Sequence, residues 1–167
     1  ALLSGSGEAA VGSPEDRYAW GDALGAFWFR HGEGARSATT KAFAEVFAGD
    51  RLRGDQVAVL GLDRGLRTLG LDGMAGDRLV RWNLEHGRPI RWQPLDLLRV
   101  GWAVFYDGGM AWFADEDRDR AGVRRELGVG VRFTGLRSGY GDLGRIDVTW
   151  SPDERGPVLT SVARGTF

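Results

Sequence analysis

Apolar and polar side chains alternate along most of this chain, and helical spacing is scarce. In residues 78–88, Val80, Trp82 and Leu84 fall on one side, with Arg81, Asn83 and Glu85 on the other. Residues 97–112 repeat the pattern. Val100, Trp102, Val104 and Tyr106 oppose Arg99, Gly101, Ala103, Phe105 and Asp107. Further on, Leu127, Val129, Val131 and Phe133 oppose Gly128, Gly130 and Arg132, and Ile146, Val148 and Trp150 oppose Arg145, Asp147 and Thr149. A period of two marks strands with two unlike faces. The pattern predicts seven strands, over residues 18–30, 39–49, 78–88, 97–112, 125–136, 145–150 and 158–167. A long Gly-rich connection occupies 50–76, and residues 1–16 read as a flexible lead or an extracellular loop.

Periodicity alone leaves two architectures open. In a soluble sandwich the apolar face is the core and the charged face meets water. In an outer-membrane barrel the apolar face meets lipid and the charged face lines the lumen. Three features favour the membrane. Trp and Tyr stand near strand ends on the apolar face, the opposite face mixes Arg, Asp and Glu with Gly, and the connections alternate between short and long. With a periplasmic C-terminus, the connections 50–76, 113–122 and 151–156 and the lead 1–16 would all be extracellular. Short turns on one side and longer loops on the other is the outer-membrane arrangement.

Composition sharpens this picture in a few places. Glycine, at 27 of 167 residues, is about twice its usual ~7%. Seven tryptophans accompany it, a mixture suited to strands with one small-residue face and aromatics at a membrane interface. The balance of 22 basic and 23 acidic residues offers no electrostatic reason to expect nucleic acid as a partner. The absence of cysteine removes disulfides and thiolate metal sites. No apolar run reaches the ~18 residues of a membrane helix, and barrel strands leave only a weak hydropathy signal. Residues 1–16 lack the basic start and apolar core of a signal peptide.

Residues 60–78 read LGLDRGLRTLGLDGMAGDR and continue into the strand RLVRWNLEHGRPI. This resembles the sixth-loop motif and following strand of BamA/TamA-type outer-membrane barrels, the bacterial surface antigen family. Gly61, Gly65 and Leu66 stand in the loop motif, with Arg67, Thr68 and Leu69 after them. Thr68 and Leu69 occupy the places where the family carries Gly and an aromatic. Asn83, Leu84, Glu85, His86, Arg88 and Pro89 are the strand counterparts. VFYDGGMAW (104–112), LGVGVRF (127–133) and GRIDVTW (144–150) resemble the next three strands, and Phe167 resembles the C-terminal barrel signal.

The resemblance implies an all-β fold: an antiparallel up-and-down transmembrane β-barrel. Residues 17–167 would supply about seven or eight C-terminal strands of a sixteen-stranded whole, with 50–76 folding into the lumen. It implies localisation in the bacterial outer membrane and a non-enzymatic role in inserting or translocating other proteins. The implied partners are outer-membrane lipids, lipopolysaccharide, client outer-membrane or secreted proteins, and the N-terminal part of the same protein. Two alternatives remain open: a barrel that anchors an upstream enzyme, and a soluble β-barrel or sandwich that binds a ligand.

The candidate constellation is Arg67 with Glu85 and Asp107. The resemblance implies that the loop arginine meets these inward acids, and alternation independently places both acids on the polar face. A guanidinium can bridge two carboxylates through charge-assisted bonds. No cofactor or metal is expected. His31 and His86 read as a turn residue and an interface residue, without metal-ligand spacing. Glu85 and Asp107 as a glycosidase pair is the weaker reading, since both have a structural role. Gly61, Gly65 and Gly70 lack the Gly-Lys-Ser/Thr of a phosphate loop. Ser4, Ser6 and Ser13 have no nucleophile elbow around them. The charged run 115–120 reads as a solvated loop tip.

Overall fold

The structure, a computed structural model, describes residues 2–10, 18–34, 37–52, 57–61, 66–69, 73–92, 94, 97–115, 122–135, 142–153 and 156–163. The fold is all-β, with no α-helix among these residues. Ten strands form: β1 (Leu2–Ala10), β2 (Tyr18–His31), β3 (Ala38–Asp50), β4 (Ala58–Leu60), β5 (Met74–Gly76), β6 (Arg78–Pro89), β7 (Leu98–Trp112), β8 (Arg124–Gly135), β9 (Asp142–Trp150) and β10 (Val158–Ala163). Eight of them make one sheet in the order β1-β2-β3-β6-β7-β8-β9-β10, and β4 pairs with β5 apart from it. Every pairing is antiparallel.

The seven expected strands are present as β2, β3, β6, β7, β8, β9 and β10, with ends that fall on described residues shifted by at most three residues. Two expectations need correction. Residues 2–10, read as a flexible lead or loop, form an edge strand along the whole of residues 18–26 of β2. Its sequence, LLSGSGEAA, is too small and polar to show alternation, so pairing with β2 decides its conformation. The connection 50–76 is not loop throughout, since it holds the β4–β5 hairpin. Residues 164–167, including Phe167, and Gly65 lie outside the described residues. Among the described residues β1 and β10 do not pair with each other, so the sheet has two edges and no closure.

Register aligns the two faces into rows. Phe27, Ala42, Leu84, Tyr106, Leu127 and Trp150 lie opposite one another across six strands. On the other face run Asn83, Asp107 and Glu126, and beside them Glu85, Phe105, Gly128 and Thr149. Burial of the two faces is the reverse of a water-soluble sheet. Leu127 and Val129 are 56% and 55% exposed, whereas Glu126 and Asp147 are 1% exposed and Asp107 is fully buried. Val100 lies on the apolar face with Trp102 and Val104, as expected, but is buried there, and the Ile90 amide bonds its carbonyl.

The compact apolar cluster sits on the polar face. Ala58, Leu60 and Leu66 from the 57–76 connection pack against Leu79 and Ala111, with Phe47, Leu69 and Met74 around them. The hairpin approaches closely because Gly76 has no side chain. A Cβ there would stand 2.2–2.5 Å from the Trp112 backbone. This packing is what brings Arg67 over the centre of the sheet.

Candidate functional site: a buried arginine latch

Alternation puts Glu85 on β6, Phe105 and Asp107 on β7, Glu126 and Arg132 on β8, and Asp147 and Arg145 on β9, all on one face. Asp107 and Glu126 are direct cross-strand partners. Two carboxylates in that relation repel and destabilise the sheet, and burial makes the repulsion worse. The connection lays its own donors on both of them.

The main-chain amide of Arg67 donates to Glu126 Oε1 at 2.6 Å. The amide and hydroxyl of Thr68 donate to Glu126 Oε2 at 2.9 and 2.8 Å. A carboxylate thereby satisfies two loop amides that would otherwise be buried without partners. The Arg67 guanidinium then spreads over three acids. Its Nη1 donates to Asp147 Oδ2 at 2.9 Å. Its Nε lies 3.3 Å from Asp107 Oδ2, and its Nη2 lies 3.7 Å from Glu85 Oε2. Below it is the Phe105 ring, with the guanidinium carbon 3.3 Å from the ring centroid.

A second layer holds the acids in place. Arg132 bonds Glu85 at 2.5 Å and also bonds Asp147. Asn83 donates to Asp107. Lys41 Nζ stands 3.8 Å from Glu85, and Arg145 Nε stands 3.3 Å from Asp147. Arg67, Arg132, Arg145 and Lys41 therefore face Glu85, Asp107 and Asp147, while Glu126 takes the main-chain amides of the loop. Burial pulls the Arg67 guanidinium below its ordinary pKa, and Asp107 and Asp147 pull it back up. A guanidinium stays protonated throughout.

Glycine makes room for it. Phe105 lies across Gly128, where a Cβ would stand 2.2 Å from the ring. Any larger residue at 128 would lift the ring into the guanidinium.

The structure brings Arg67 together with both acids named from the sequence, Glu85 and Asp107. Gly61 and Leu66 are buried beneath the loop, where the Leu66 amide bonds the Gly61 carbonyl at 3.2 Å. The two shortest partners of the Arg67 residue, Glu126 and Asp147, were missed. Alternation placed Asp147 on the polar face, and the same spacing puts Glu126 there. Which strand lies beside which, and in what register, is long-range information that the pattern does not carry. Among the described residues no group of three or more His, Asp or Glu side chains could hold a metal ion.

No family model, curated protein or solved structure matches this chain at a significant level.

Proposed function

We propose that this sheet is part of a β-barrel spanning a bacterial outer membrane, of the BamA/TamA type, that assists the insertion or passage of other proteins. The observation that carries the reading is the inverted burial of the two faces. Trp102, Val104, Tyr106, Leu127, Val129, Ile146, Val148 and Trp150 form an exposed apolar surface, while the charged latch is sealed on the other side. Burying a large apolar side chain is worth ~1.5–3 kcal/mol, so a face left this bare in water forgoes a large part of its stabilisation. In lipid the same face is at rest. Strand length agrees: every strand of the large sheet except β10 has at least nine residues, against the ~9–11 that cross a bilayer.

The two edges left unpaired among the described residues, β1 and β10, support a larger whole. Unpaired backbone groups are strongly disfavoured in hydrocarbon, so further strands would complete the barrel there. The polar face then lines a lumen, and the 57–76 connection is bolted inside it by Arg67. The role in insertion or translocation rests on the resemblance of the loop and strand motifs.

Single cysteines test the membrane reading, because the chain has none of its own. In lipid vesicles, cysteines at Trp102, Val104 and Leu127 should react with a membrane-dissolved probe. Cysteines at Arg81 and Asn83 should react with a water-soluble one. Equal labelling of both sets by the aqueous probe would exclude it. The role itself is read separately, as acceleration of the insertion of an unfolded outer-membrane barrel into the same vesicles. No acceleration would leave a barrel that serves only as an anchor.

A further inference from the structure

The chain has only two histidines, 55 positions apart, and the fold brings them together. His31 is the last residue of β2, and His86 stands on β6, with β3 between them. Both rings lie on the apolar face, next to the β2–β3 turn that Gly32 and Gly34 form at positive φ. His31 Nε2 is 2.7 Å from Thr40 Oγ1, and His86 Nδ1 is 2.9 Å from the same oxygen. One nitrogen of each ring is therefore turned toward the same hydroxyl, which holds the two rings together across β3. Phe29 packs edge-on to His31, and Trp102 stands tilted beside His86, which fixes both ring planes.

We propose that His31 and His86 form a two-imidazole site for a borderline divalent transition-metal ion, of the Cu²⁺, Ni²⁺ or Zn²⁺ class. Two imidazoles on one tetrahedral ion, with ~2.0–2.1 Å metal–nitrogen bonds, hold their ring centroids about 5 Å apart. The observed separation is 5.3 Å, with the ring planes 69° apart. An ion would take the place between the rings that the Thr40 hydroxyl now holds, with that side chain turned aside, and water would complete its shell. Imidazole nitrogen favours these ions over the oxygen-seeking Mg²⁺ and Ca²⁺. No cysteine competes for them. A bound ion would clip β2 to β6 across β3, tying three strands together at one end of the sheet. His31 is exposed at the very end of β2, and water reaches the site from that end of the sheet.

The test uses untagged protein with its α-amine blocked, titrated with Cu²⁺ and followed by electron paramagnetic resonance. One saturable ion with two coupled nitrogens is the expected result. His31→Gln and His86→Gln should each weaken binding by more than the ~10–100-fold that loss of a supporting contact costs a metal site. Because a variant can misfold, the unmodified sequence gives a second readout. Zn²⁺ should protect both histidines together from diethylpyrocarbonate, as read by mass spectrometry. Protection of one histidine alone or of neither, or unchanged Cu²⁺ affinity in either variant, would overturn the site.

Discussion

The guanidinium of Arg67 and the ring of Phe105 lie face to face, 3.3 Å from guanidinium carbon to ring centroid. The cation is thus held between an aromatic floor and the carboxylates of Asp147, Asp107 and Glu85. A desolvated contact of this kind is worth ~2 kcal/mol or more. It also fixes the plane in which the guanidinium meets its acids.

Removing that cation leaves buried carboxylates uncompensated, and breaking a buried pair from one side costs ~3–5 kcal/mol. Arg67→Ala is expected to lower resistance to thermal unfolding by that order while the large sheet still forms. Arg67→Lys should recover only part of the loss, because an ammonium lacks the planar fork. Melting followed by circular dichroism measures both. Double-mutant cycles should give a larger coupling to Asp147, at 2.9 Å, than to Glu85, at 3.7 Å. Equal or absent couplings would contradict the geometry.

Glu126 acts on the main chain of the loop, accepting the amides of both Arg67 and Thr68. Glu126→Ala should strand those amides at ~1–3 kcal/mol. Its signature would be local: faster protease cleavage between residues 57 and 76, with strand content unchanged. Cleavage at the unaltered rate would show that the loop is held by its apolar cluster alone.

Gly128→Ala places a methyl 2.2 Å from the Phe105 ring. Overpacking of this kind costs ~1–3 kcal/mol. Adding Phe105→Leu should relieve the clash, so the double variant should be more stable than additivity predicts. Strictly additive losses would mean that the ring and the glycine do not share this space.

The exposed apolar face separates the two candidate solvents. Leu127→Arg is expected to cost ~2–4 kcal/mol in lipid if position 127 lies near the bilayer midplane. In water, a substitution at a site this exposed stays within ~0.5 kcal/mol. Equilibrium unfolding from vesicles reads the difference, and a neutral result would turn the face toward water.

Much of the sheet was legible because its alternation is strong where the strands are central. Val129, Val131, Ile146 and Val148 could not be misplaced without exposing charge on the wrong side. β1 was illegible because Ser4, Gly5, Ser6 and Gly7 have no periodicity to read. The short hairpin β4–β5 escaped for a different reason, since three residues per strand are too few for a pattern. At the latch, parity pointed to the right face, but the choice of partner depended on register. His31 and His86 likewise looked unrelated until β3 was placed between them.

The bond from Arg67 to Asp147 closes a chain segment of 80 residues, and those to Glu126 close 59 and 58. Contacts so distant in sequence form late, because neighbouring hairpins close first at lower entropic cost. Glu126 and Asp147 stand in position only once β8 and β9 have joined β7 in register. Full docking of the loop therefore requires the four strands β6 to β9 in one register, so a slip in any of them leaves Arg67 short of a partner.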